Sequence, residues 1–264
     1  MAENCPICSG LGLKIVQRSD GTQFAQDCVC RIERRAKQVL KNARIPRRYE
    51  LCSLDTYETM HSSATESVKK GLSVSRKFAE GYPVETNGKG LLFVGSRGLG
   101  KTHLAIGILK NLIDDRGATG VFWEHKGLLE NLRSIYGART AGAEAQILRE
   151  AITCDLLVLD DLGEITPSDW TWDTTSYILS SRYNEDRSTI ITSNLPNEPP
   201  SIVFDEPVDR FANDPGKEAK RAMTKRTLAD RIGERIWSRL QEMCVVVDMH
   251  GEDFRQKVKR ASFA

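Results

Sequence analysis

Residues Gly88 to Ala105 read Gly-Lys-Gly-Leu-Leu-Phe-Val-Gly-Ser-Arg-Gly-Leu-Gly-Lys-Thr-His-Leu-Ala, and this stretch decides the fold. Leu91–Val94 is a short apolar run suited to a buried strand. Gly95 to Thr102 fits G-x-x-x-x-G-K-[ST], and beyond it apolar residues return at helical spacing with Leu104, Ile108 and Leu112. Strand, glycine-rich turn and helix start, in that order, are the context a phosphate-binding loop needs. Gly95, Gly98 and Gly100 let the backbone bend so that successive N–H groups, those of Ser96, Arg97 and Leu99 among them, point inward at an anion. The helix that follows adds its positive N-terminal end. Lys101 supplies a point charge for the β- and γ-phosphates, and the Thr102 hydroxyl is placed to ligate Mg²⁺. The stretch implies a site for a nucleoside triphosphate, with ATP as the expected ligand.

A chain of 264 residues suits one large α/β domain with a small appendage. The net charge is only +2, so any argument for nucleic-acid binding has to rest on local clusters. No apolar run approaches the roughly 18 residues of a membrane span, and the first residues lack a signal-peptide pattern. Seven cysteines is an odd count, and four of them fall in close pairs near the start. That pattern favours a reducing compartment and a metal site over a disulfide framework, so a cytoplasmic location is expected.

Cys5-Pro-Ile-Cys8 and Cys28-Val-Cys30 make two thiolate pairs separated by a hairpin-like segment. Such pairs on tight turns can close a tetrahedral shell around Zn²⁺, and metal would supply much of the folding free energy of so small a unit. Free thiols, or a redox pair, are the competing readings. Cys52, Cys154 and Cys244 lie in or near apolar runs and read as small core residues. After the second pair comes a basic stretch, Arg31, Arg34, Arg35, Lys37, Lys41, Arg44, Arg47 and Arg48, opposed only by Glu33. Its thin apolar stripe predicts a helix over Arg31–Asn42. Contact with nucleic-acid phosphate or an acidic partner, and a plain solvated linker helix, both account for it. Residues 1–49 are therefore read as a zinc-binding module with a basic linker helix, and 50–264 as the nucleotide-binding domain.

Within that domain the periodicity predicts a helix at Glu66–Glu80, then alternating strands and helices. The strands are Leu91–Val94, Val121–Glu124, Leu156–Asp160, Thr189–Ser193 and Cys244–Val247. Helices fill Thr102–Asp114, Lys126–Tyr136, Glu144–Ile152 and Trp172–Asn184. The alternation implies an α/β fold, a five-stranded parallel sheet between helices, with ligand at the carboxyl edge of the strands. The third strand delivers Asp160 and Asp161 to that edge. Asp160 fits a Mg²⁺-holding carboxylate, and Asp161 is placed to orient or deprotonate an attacking water. The fourth strand ends Thr192-Ser193-Asn194, where Asn194 either positions water or simply forms the turn before Leu195-Pro196.

The loop ending Gly-Lys-Thr-His-Leu-Ala, the Leu-Asp-Asp-Leu-Gly acid motif, Ser-Arg-Tyr at 181–183 and Thr-Ile-Ile-Thr-Ser-Asn-Leu-Pro together resemble the DnaC/DnaI family of replicative helicase loaders. These belong to the AAA+ ATPases and are related to the IstB-type transposition helpers. Ile45-Pro46-Arg47-Arg48-Tyr49 resembles the segment that enters their ATPase domain, and a cysteine-pair module is similar to that of DnaI-like loaders. The resemblance implies that Lys101 and Thr102 are Walker A residues, Asp160 and Asp161 the Walker B pair, and Asn194 sensor 1. It also makes Arg239, in Gly233-Glu-Arg-Ile-Trp-Ser-Arg-Leu240, an arginine finger that reaches a neighbouring subunit's nucleotide. The activity so implied is ATP hydrolysis in a homo-oligomer that engages a DnaB-type helicase and single-stranded DNA. An IstB-like helper, and a nucleotide-dependent binding adaptor with little turnover, are the alternatives. Two departures from the family stand out: Asp161 occupies a position where many AAA+ enzymes have Glu, and 196–225 is a long polar connection that reads as an exposed insertion, either contacting DNA or partner or merely tolerated.

Overall fold

The computed structural model describes residues 5–60, 65–137, 141–165, 168–197 and 227–254. The chain opens with an antiparallel hairpin, β1 (Leu13–Gln17) and β2 (Gln23–Asp27), in which Leu13 faces Asp27 and Gln17 faces Gln23. Helix α1 (Val29–Asn42) follows at once. It starts inside the second cysteine pair, two residues ahead of the predicted start, because Cys28 with its extended backbone is the residue that precedes the first turn. Then come a short 3₁₀ turn (Arg47–Tyr49), α2 (Leu54–Met60) and α3 (Glu66–Gly81).

The core alternates as predicted. β3 (Gly90–Gly95), α4 (Lys101–Arg116), β4 (Gly120–Glu124), α5 (His125–Gly137), α6 (Ala141–Thr153), β5 (Leu156–Asp160), α7 (Asp169–Asn184) and β6 (Ser188–Ser193) precede α8 (Leu228–Ile232), α9 (Glu234–Met243) and β7 (Cys244–Met249). The five core strands are all parallel, in the order β4-β5-β6-β3-β7. β3, the first of them in sequence, thus sits between β6 and β7 rather than at an edge. The chain leaves β3 for the far edge of the sheet, and the loop after β3 lies at the crevice where ligands of such sheets bind.

Alternate residues of each strand feed two cores. Leu91, Phe93, Phe122, Val158 and Ile190 pack with α1 to α4, whereas Leu92, Val94, Trp123, Leu157 and Ile191 pack with α5 to α9. Period-two burial on both faces is what a strand sandwiched between helix layers requires. In α3 the polar Ser75 is fully buried because its hydroxyl donates to the Gly71 carbonyl at 2.7 Å, so it interrupts the apolar stripe without leaving a polar atom unpaired.

The basic linker is not uniformly solvent-facing. Ala36 is buried in the first core, Val39 and Leu40 pack against it, and the Ala43 carbonyl accepts the Phe122 N–H at the edge strand β4 at 2.8 Å. Arg44 bonds Glu150 at 2.9 Å and lies over the Trp123 ring at 4.4 Å, so it ties linker to core. Arg34, Arg35, Lys37 and Lys41 remain exposed. A second arginine has a structural task. Arg182, fully buried, donates to the carbonyls of Ala151, Ile152, Cys154 and Ser188 and to the Thr189 hydroxyl. It places a cation where the carbonyls at the end of α6 concentrate negative potential.

Candidate functional site

Lys101, Thr102, Asp160, Asp161 and Asn194, drawn from three separated stretches of sequence, converge at the carboxyl edge of β3, β5 and β6. The loop Gly95–Lys101 turns through positive φ at Gly95 (135°), Gly98 (79°) and Gly100 (81°). At two of these positions a side chain would also collide with the segment at and after the end of β7. A Cβ at Gly95 would stand 2.0 Å from the Met249 carbonyl oxygen, and one at Gly98 would stand 1.7 Å from a carboxylate oxygen of Asp253. The segment after β7 therefore lies directly on the loop, and the Phe254 N–H donates to the Gly98 carbonyl at 3.2 Å. From the other side, the buried Tyr57 hydroxyl donates to the Leu99 carbonyl at 2.9 Å. No side chain caps the start of α4, so its first N–H groups are available to an anion.

Lys101 is 5% exposed, and its ammonium donates to the carbonyls of Gly95 and Ser96 and to Asn194 Oδ1 at 2.8, 2.7 and 2.8 Å. Asp160 is buried and its Oδ1 accepts from the hydroxyls of Thr102 (2.8 Å) and Thr192 (2.6 Å). Burial raises its pKa, against the pull of those two hydrogen bonds. A hydroxyl and a carboxylate oxygen this close fit two positions of a Mg²⁺ shell, leaving the others for phosphate and water. Asp161 has φ of 56°, and its N–H donates to Thr192 Oγ1 at 3.0 Å. Burial first, then the charges of Asp160 and Glu164, push its pKa up to about 6, with Lys101 opposing. That value suits a group that takes a proton near neutral pH. Asn194 is no mere turn residue, since its Nδ2 donates to Asp161 Oδ1 at 2.8 Å and to Glu164 Oε1 at 3.0 Å.

Three contributors escape a reading of the sequence. Glu164 also accepts from Arg97 at 2.8 Å. Thr192 anchors both acids through one hydroxyl. Asp253 closes on the loop from the far end of the core. Thr192 lies in the strand-end motif, but the partners of all three come from strands or turns remote in sequence.

Arg239 is placed elsewhere. On α9, it donates to the Ser180 hydroxyl and lies over the Tyr183 ring at 5.5 Å, both on α7. The structure thus does not bring it to the cradle of its own chain. Nearly all of the 196–225 connection lies outside the described residues.

The four cysteines do converge. All four Sγ atoms lie within 4.8 Å of one another, with Cys5–Cys28 at 3.7 Å and Cys8–Cys30 at 3.4 Å, and none is in a disulfide. A tetrahedral Zn²⁺ with bonds of about 2.3 Å sets neighbouring sulfurs about 3.8 Å apart, so the donor set fits. Burial would raise the Cys8 thiol, yet the Gly12 N–H and the three neighbouring thiols bring it down to about 6. Cys30 is pushed up to about 12, first by Cys8 and then by burial. A hairpin of two short strands is marginal by itself, and a metal clip is the natural complement.

An all-parallel sheet in the order β4-β5-β6-β3-β7, with a phosphate loop after β3 and acids after β5, is the AAA+ class of P-loop ATPases. A family model for IstB-like ATP binding protein matches residues 21–210, and the chain belongs to that family and is DnaC-like within it. It is 28% identical over 176 residues to the replicative helicase loader DnaC of Buchnera aphidicola subsp. Acyrthosiphon pisum, across 66% of this chain and 69% of the relative. A crystal structure of the DnaC helicase loader superposes with a TM-score of 0.58 at 31% identity, covering 78% of this chain and 100% of that one. A crystal structure of DnaI shares the fold with a TM-score of 0.55 at 21% identity, over 80% and 95% of the two chains. The family match begins within the hairpin of the cysteine module and stops short of Arg239. Among the described residues no helix is long and apolar enough to cross a membrane.

Proposed function

We propose that this chain is an ATP-dependent loader of a replicative DNA helicase. What supports the reading most is one observation, the continuous network from Lys101 through Asn194 to Asp161, beside the Thr102–Asp160 pair, in a chain that is DnaC-like along most of its length. Gly95 to Thr102 hold the triphosphate, with Lys101 on its β- and γ-oxygens. Thr102 and Asp160 would hold Mg²⁺, which would neutralise charge on the phosphate oxygens. Water attacks the γ-phosphorus, its proton passes to Asp161, and the bond to the β-phosphate oxygen breaks to leave ADP and phosphate. As sensor 1, Asn194 couples Lys101, which meets the γ-phosphate, to Asp161 through its amide.

Arg239 acts between subunits. Docked on α7 and away from its own cradle, it serves a neighbour's nucleotide in a homo-oligomer. The zinc module at 1–49 and the exposed face of α1 engage a DnaB-type helicase. The ATPase domain at 50–264 contacts single-stranded DNA. A second reading, an IstB-like transposition helper, is favoured by the family description alone; it keeps the same engine and changes only the partner.

The test is steady-state ATP hydrolysis with and without single-stranded DNA, for the native chain, Lys101→Ala and Arg239→Ala, together with capture of a DnaB-type helicase. Lys101→Ala is expected to lose nucleotide binding, and Arg239→Ala to bind normally but lose turnover. Normal hydrolysis by Arg239→Ala overturns the shared site. Failure to capture the helicase with ATP present overturns the loader reading in favour of the helper.

A further inference from the structure

Asn194 carries a primary amide, which has two N–H donors and one oxygen, and its direction is set by what surrounds it. Its oxygen faces the Lys101 ammonium at 2.8 Å, and its nitrogen faces two carboxylates, Asp161 at 2.8 Å and Glu164 at 3.0 Å. Rotating the amide by half a turn would set NH₂ against ammonium and oxygen against two acids, which is unfavourable at all three contacts. Asp161 occupies one N–H. The second is occupied by Glu164, three residues further along the turn that leaves β5. The same Glu164 Oε1 accepts from Arg97 on the phosphate loop at 2.8 Å. One carboxylate oxygen thereby links the loop after β3 to the end of β6.

We propose that Glu164 is a positioning residue for hydrolysis: with Asp161 it locks the Asn194 amide so that its oxygen stays on Lys101, and through Arg97 it pins the tip of the phosphate loop to the same point. The proposal rests on the ATPase reading above and assigns Glu164 no contact with nucleotide. Its contribution to stability is small. The Arg97 and Glu164 side chains are 71% and 38% exposed, and ion pairs in that setting are screened by solvent. Its effect lies in geometry, where a misdirected amide turns a favourable contact with Lys101 into an unfavourable one.

The experiment uses the full chain with Mg²⁺, single-stranded DNA and the captured helicase. It measures kcat and KM for ATP and, separately, affinity for a fluorescent non-hydrolysable ATP analogue. Glu164→Ala is expected to lower kcat about tenfold while affinity stays within about threefold. Glu164→Gln, which accepts the same two hydrogen bonds without charge, is expected to recover most of the rate. In an Asn194→Ala background, only the route through Arg97 remains, so Glu164→Ala is expected to lower kcat clearly less than its roughly tenfold effect in the native chain, by less than about fivefold. A full, roughly tenfold effect of Glu164→Ala retained in the Asn194→Ala background, an unchanged kcat in Glu164→Ala, or lost affinity at unchanged kcat each overturns the proposal. An inactive Lys101→Ala beside a normal Glu164→Ala removes this inference and leaves the ATPase reading standing. A native chain that binds the analogue but never turns over removes both.

Discussion

Acidification should weaken the core through His125, and by a calculable amount. His125 begins α5 at the carboxyl end of β4 and is 5% exposed. Its Nε2 meets the Thr175 hydroxyl at 2.9 Å, and its Nδ1 has no partner among the described residues. It lines a small cavity with Gly163, Trp172 and Arg231, so a proton on the ring would find no nearby anion in that lining and one nearby cation. Burial lowers its pKa from 6.5 to about 4. The folded protein therefore holds the ring neutral while the unfolded chain gains a proton below 6.5, and stability is lost as pH falls through that window. One pKa unit corresponds to about 1.4 kcal/mol, so the full loss approaches about 3 kcal/mol, of which about 2 falls between pH 7 and pH 5. The assay is urea unfolding of the native chain and of His125→Gln at both pH values, followed by tryptophan fluorescence. Gln can still reach Thr175 and does not titrate, so the difference between the two proteins isolates His125 from every other group. That difference should shift by about 2 kcal/mol in favour of the variant at pH 5. A difference that stays flat within about 0.5 kcal/mol, or shifts the other way, refutes the burial of a neutral ring at this position.

Other substitutions probe the remaining supports. Gly98→Ala must hold a φ of 79° and displace Asp253, so nucleotide affinity should fall at least about tenfold while the fold survives; a fluorescent-nucleotide titration that gives native affinity contradicts the packing. Arg182→Met leaves a set of buried carbonyls without their donor and should cost about 3–5 kcal/mol in chemical unfolding, against less than about 1 for a surface arginine. Stripping metal with a chelator should release one Zn²⁺ per chain and melt the β1–β2 hairpin, read by far-UV circular dichroism, while nucleotide binding persists; Cys28→Ala should behave the same way without chelator.

The core was legible because its signals are local. A four-residue apolar run, a glycine turn and a helical stripe lie within one stretch, and Asp160, Asp161 and Asn194 each sit at the end of an apolar run whose length marks a strand. Two cysteine pairs, too, need only spacing to suggest a shared metal. What stayed hidden depends on contacts between distant segments. Arg44 reads like its basic neighbours until the linker brings it over Trp123. Arg182 lies in a short polar motif, and only its burial under α6 and β6 reveals an anchor. Glu164 looks like any acid on a turn, and its partners come from β3 and β6. Asp253 and Phe254 lie in a segment that resembles the family's closing segment, yet nothing local tells what they touch. Their relation to Gly98 exists only once β7 has taken its place next to β3.

That last relation bears on how the protein is made. Loop Gly95–Lys101 leaves the ribosome long before Met249, Asp253 and Phe254, yet its walls include all three. Until residue 254 has emerged, β3 has an unpaired edge where β7 belongs, and the loop lacks the segment that presses on Gly98. An unpaired edge of that kind invites pairing with other chains, so β3 is exposed to misassembly until β7 docks. The loop thus acquires its full set of walls only when β7 and the segment to Phe254 dock on β3.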